Sequence, residues 1–142
     1  MTFNFKTAPA RNPTASIEVY NNDGDFFGKF TVREQSQYSP LFLKRLQDAR
    51  KTLSPSERKR VESPKTEDDI LLGRLIIIKN FVDHYLVDCE IPSDGDEVYT
   101  SKDAAMAYLS EPDNFWIFIE VDGFASEQGN FRKEAVEESK ND

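Results

Sequence analysis

Asp83 and His84 are the pair best equipped to move a proton, an acid beside the chain's sole histidine. A general base needs its target within hydrogen-bond reach. Neighbours in a helix do not face one another, and no serine or cysteine nucleophile is spaced beside this pair, so His84 reads as a structural or surface residue. The acids Asp88, Glu90, Asp94, Asp96 and Glu97 invite comparison with a calcium loop. Such a loop wants acids at its first, third and fifth positions, glycine sixth and glutamate last. Asp94-Gly95-Asp96 brings the glycine too early, and Thr100 follows where a ligand is needed, so a solvated turn is expected. Cys89 stands between Asp88 and Glu90, which disfavours its thiolate and marks it as inert. Arg58-Lys59-Arg60 resembles a nucleic-acid patch, but no aromatic residues interleave it and the chain carries a net charge of −8. A solvated helix, or a surface for an acidic protein, fits better. Phe115-Trp116-Ile117-Phe118-Ile119 holds more large side chains than one core can face, so it is either a partner surface or a helix between two layers. No phosphate-cradling glycine loop or dinucleotide fingerprint is present. The expectation is no catalytic residue, no cofactor and no metal. The binding candidates are Phe115, Trp116, Phe118 and Ile119, with Arg58, Lys59 and Arg60.

These residues must be positioned by a few elements, and the chain is organised around residues 66–87. Leu71, Leu72, Leu75, Ile76, Ile78, Phe81, Val82, Tyr85 and Leu86 recur mostly at helical intervals, and Ile70 and Ile77 widen the stripe towards the full circumference. Thr66 is the expected N-cap, Asp69 completes a capping-box pattern, and Glu67, Asp68 and Asp69 suit the positive end of the helix dipole. Before it, Ser16–Tyr20 and Phe26–Val32 flank Asn21-Asn22-Asp23-Gly24, a hairpin signal over 16–32. Alternation pairs Ile17 and Val19 with Phe30 and Val32, and Gly28 marks a bulge or a close backbone approach.

Ser39-Pro40 starts a helix over about 40–53, with Leu41, Phe42, Leu46, Ala49 and Leu53 inward and Lys44, Arg45, Arg50 and Lys51 outward. Ser54-Pro55 repeats the start signal ahead of a short polar segment. Residues 87–99 read as a turn-rich connection around Asp94-Gly95. Thr100 caps a helix over 101–110 that buries Ala105, Met106 and Leu109. Pro112 breaks it, and a last helix spans 113–125 with Phe115, Phe118 and Ile119 inward and Trp116 as a further inward candidate. Residues 1–15 form a loose arm, pinned at most by Phe3 and Phe5, and 129–142 form a charged, frayed tail. The expected fold is α+β, mainly α-helical: an N-terminal β-hairpin followed by a small helical bundle, in a single domain over 16–128.

At 142 residues the chain suits one modest core. No apolar run reaches the roughly 18 residues of a membrane helix, and the N-terminus lacks a secretory pattern. One cysteine excludes an internal disulfide, so an intracellular, reduced protein is expected. Charge is uneven. Residues 40–66 carry eight basic and three acidic groups, and 67–142 carry six basic and nineteen acidic. Such a division suits internal complementarity or head-to-tail self-association, and it argues against general nucleic-acid binding.

The layout resembles the tail assembly chaperones of long-tailed bacteriophages over roughly residues 16–140. A short hairpin (Ser16–Val32) precedes a charged middle (Lys44–Lys65), and an acidic cap leads into a helix ending in Asn80-Phe81-Val82-Asp83-His84-Tyr85. An Asp94-Gly95 turn, a Val98–Ala104 lead-in to a helix, a final helix over Pro112–Phe124 and a charged tail complete the series. The resemblance implies a non-catalytic role in the host cell cytoplasm. The tape measure protein would be shielded and major tail protein subunits recruited, with neither membrane nor nucleic acid involved. The alternative, from the acids alone, is a DNA-mimicking anti-defence inhibitor.

Overall fold

The computed structural model describes residues 2–7 and 10–133. Two antiparallel strands, β1 (Ala15–Tyr20) and β2 (Phe26–Val32), form the expected hairpin with Ile17 opposite Phe30 and Ala15 opposite Val32. The Asn21 side chain builds its turn, Oδ1 accepting from the backbone N–H of Asp23 at 3.0 Å and of Asp25 at 2.8 Å. Gly28 fulfils both readings at once. The register slips beside its partner Val19, its φ is +140°, and a Cβ there would lie 2.8 Å from the Phe30 ring and 3.4 Å from the Glu90 carbonyl oxygen.

Three helices follow: α1 (Pro40–Lys51), α2 (Pro55–Glu62) and α3 (Glu67–His84). Each starts where its cap directs. Ser39 accepts from Leu41 N–H, and capping boxes form at Ser54/Glu57 and Thr66/Asp69. The expected helix over 66–87 overruns its end. Tyr85 is the C-cap, and Leu86–Pro92 forms β3, which pairs antiparallel with β2. Thus 87–99 is not merely a turn-rich connection: it holds most of β3 and the two-residue β4 (Val98–Tyr99), giving a sheet of order β1-β2-β3-β4. The cause is a bulge. Thr31 pairs with Asp88 but Val32 with Leu86, so Val87 and Asp88 are both exposed and the period-two pattern is interrupted at the strand's start.

After β4, α4 (Lys102–Ser110) is capped by Ser101 rather than by Thr100, its Oγ accepting from Ala104 N–H at 3.0 Å. A 3-10 turn at Pro112–Asn114 leads into α5 (Phe115–Ser126). The core lies between the sheet and α3, α4 and α5, with Phe30, Phe81, Leu86, Leu109, Ile117 and Phe131 fully buried. Tyr108 Oη donates to Phe27 O at 2.7 Å, fastening α4 to β2. Gln35, itself buried, donates its N–H to Ala125 O at 2.7 Å and its side-chain amide to Asp122 at 2.8 Å, fastening the end of β2 to α5.

The two expected loose ends meet. Asn12 N–H donates to Phe131 O at 2.7 Å, Arg11 bridges Arg132 and pairs with Glu34, and the Phe131 ring is part of the core. Phe3 and Phe5, 67% and 83% exposed, stack on each other and pin nothing. From residue 134 on, the expected tail lies outside the described residues. Among those described, no helix is long and apolar enough to cross a membrane.

Candidate functional site

The proton-moving pair is separated by its partners. Asp83 accepts from Lys79 Nζ at 2.9 Å, while His84 lines a cleft of about 230 Å³ between α1 and α3 together with Arg45, Asp48 and Asn80. Burial first, then the Arg45 charge, lowers the His84 pKa, leaving a neutral imidazole at pH 7. Thr52, on the same cleft, donates its hydroxyl to Ala49 O at 2.7 Å. Cys89 is buried, its Sγ 3.6 Å from Ser101 O, and burial, with Asp88 second, raises its pKa. A thiol so placed stays protonated at neutral pH. Asp94, Asp96 and Glu97 are exposed on a turn held by Ser93, whose Oγ donates to Glu97 O at 2.7 Å. Among the described residues, no three His, Cys, Asp or Glu side chains converge as metal ligands would.

The aromatic run of α5 is divided among four environments. Phe118 is 2% exposed and packs edge-on against Phe81 at 5.7 Å, so it belongs to the core and offers no partner surface. Ile119, expected inward, points outward at 51% exposure, and Ile117, not expected inward, is buried instead. The helical step sets this exchange: Ile117, Phe118, Val121 and Ala125 share the buried face, and Ile119 falls outside it. Trp116, 38% exposed, stands edge-on to Phe27 at 5.3 Å. Phe115 is half-buried and lies under the guanidinium of Arg74, which sits 4.0 Å from the ring centroid.

Phe115 and Arg60, drawn from the two separate candidate runs, line one cleft. It holds about 350 Å³ between α2, α3, the end of α4 and the start of α5, at the low end of the roughly 300–1,000 Å³ usual for ligand clefts. Leu71, Leu72 and Leu75 form one wall, Leu109, Pro112 and Phe115 the other. Arg60 is held at the rim, its Nε donating to Asp69 Oδ1 at 2.6 Å. Arg58 and Lys59 are exposed but do not line the cleft. The Asp69 carboxylate also accepts from the backbone N–H groups of Lys65 and Thr66. The Lys65 bond and then Arg60 hold its pKa down at about 2. Ser110 Oγ, in the cleft wall, is buried without a hydrogen-bond partner among the described residues.

Leu72, Leu75 and Leu109 read from the sequence as packing positions rather than as a binding wall, and Arg74 and Ser110 carry no sequence signal of their own. The available signal was the excess of apolar positions around α3, more than one neighbouring layer can cover. Ile70, Leu75 and Ile77 remain 48%, 41% and 47% exposed. No protein-family model, curated protein or solved structure matches the chain.

Proposed function

We propose that the protein is a non-catalytic tail assembly chaperone. In this reading it shields an apolar helical stretch of the tape measure protein and helps bring in the major tail protein, in the host cell cytoplasm. The observation that carries the reading is the open apolar cleft between α2, α3, α4 and α5, walled by Leu71, Leu72, Leu75, Leu109 and Phe115. A helix presenting apolar residues at intervals of three and four would bury them there, each fully buried side chain contributing roughly 1.5–3 kcal/mol before ordering costs. Arg74, stacked on Phe115, offers a cation to an acid on such a helix. The element order supplies the choice of family. The anionic-decoy reading has less support, because its acids would need an uninterrupted face. Lys29 stands directly between Glu18 and Glu90 across three strands, where opposite charges stabilise the sheet locally.

The test is co-expression with a tape measure protein, followed by solubility and pull-down assays, with Leu75→Asp as the cleft variant. Leu75 is exposed, so an acid there leaves the fold intact while placing a charge inside the cleft. The expected result is a soluble, co-purifying partner, with affinity lowered about 30-fold or more by the variant, the size of a hot-spot loss of about 2 kcal/mol. A partner that is equally insoluble with and without the chain sinks the reading. Phe118 is unsuitable as a probe, since its loss would test the core.

A further inference from the structure

The outer face of α1 carries apolar and basic side chains with little to hold them. Tyr38, just ahead of the helix, is 91% exposed, Leu43 58% and Leu41 48%, so Leu41 does not take its expected inward place. Lys44, Arg50 and Lys51 are exposed beside them, with Asp48 as the helix's single acid. Across the described residues, internal complementarity between the basic middle and the acidic half amounts to one ion pair, Arg60 with Asp69. The other pair made by the basic middle, Lys51 with Asp48, lies within α1. Elsewhere, the β3–β4 turn exposes Asp94, Asp96 and Glu97 beside Val98 and Tyr99, which are 57% and 47% exposed. The two surfaces correspond in kind. Each sets exposed apolar groups among charges mainly of one sign, and those signs are opposite.

We propose that the α1 face of one copy docks on the β3–β4 end of a second copy of this chain. Opposite charge selects the partner and sets the approach, and the apolar groups supply burial. The two-residue β4 with acids at its turn is a poor template for strand pairing, so side chains make the contact. The contact joins two different surfaces, so a bound pair leaves one of each free, and the assembly grows head to tail or closes into a ring. Neither surface lines the apolar cleft, so the inference stands apart from the chaperone reading.

Light scattering over a concentration series tests it. In about 0.01 M salt the mass should rise with concentration, and in about 1 M salt, where the screening length is about 3 Å, it should fall to that of one chain. Two variants sharpen the result: Leu43→Ser with Lys44→Ser and Arg50→Ser, and Asp94→Ser with Asp96→Ser and Glu97→Ser. All six side chains are exposed, so the fold should survive. Each variant alone should have the mass of one chain, and an equal mixture should form a heterodimer and nothing larger, through the one intact face on each. A wild-type protein that keeps the mass of one chain at every concentration in low salt overturns the proposal. So does an α1 variant that still associates by itself, or a mixture that does not pair. If a variant fails to fold, the wild-type salt and concentration series still decides.

Discussion

Helices α1 and α5 are equally long and are both rich in large apolar residues, yet they are held differently. α5 sinks Ile117, Phe118, Val121 and Ala125 into the core, whereas α1, with three leucines and a phenylalanine, buries no residue fully, and neither does α2. Around α5 the apolar layer is continuous with the sheet and α4. Around α1 and α2 the attachments are fewer: Phe42 packed half-buried against the core, Leu53 between the two helices, Arg45 over the Tyr85 ring at 5.2 Å, and the Arg60–Asp69 pair. Apolar content sets what a helix can bury. Its place in the layers sets what it does bury.

The sharpest way to break this comparison is to truncate the core. Phe118→Ala should cost about 3–5 kcal/mol in denaturant unfolding, the usual range for a buried phenylalanine. An effect below about 1 kcal/mol would mean that α5 is no better anchored than α1. Gly28→Ala comes next, at about 1–3 kcal/mol, because a Cβ at φ +140° meets the Phe30 ring at 2.8 Å. It should lower the melting temperature without disturbing α2. A third test sharpens the comparison locally. The Asp69 pKa is depressed, so its contribution is fully present above its ordinary value of 3.8 and is lost as pH falls through about 2. Amide protection, taken relative to each amide's intrinsic exchange rate at the same pH, should fall in α2 and the first turn of α3 over that interval ahead of α5, and a simultaneous fall would count against a separate attachment. The smallest effect belongs to Leu43→Ala in α1, within about 0.5 kcal/mol of wild type in the same unfolding assay.

Much of the scaffold was legible where one local device decides the outcome. The Asn21–Gly24 turn, Ser39-Pro40, Ser54-Pro55 and the Thr66/Asp69 box each act over a few residues, and each element starts where they direct. β3 was not legible, since the bulge that offsets Leu86 from Asp88 depends on pairing with β2, a strand remote in sequence. Phe131 looked like part of a charged tail because its partners, Asn12 and the core, are remote in sequence. The cleft combined one residue from each of two expected candidate sets, Arg60 and Phe115, but its walls come from four helices whose convergence no local pattern encodes. Ile117 stands inward in place of Ile119 for a simpler reason. In a run of five large side chains every one fits some helical stripe, and the neighbouring layer decides which stripe is inward.

Cys89 gives the molecule a clock of its own. It is the chain's only thiol, sealed in β3 against the start of α4 and kept protonated by burial and then by Asp88. A thiol-reactive reagent at neutral pH therefore reports excursions in which that seam parts, with no label introduced. Its rate, followed against urea, would separate brief local breathing of the seam from complete unfolding. Any partner that settles on the adjoining surface and slows those excursions would announce itself as a lengthened labelling time.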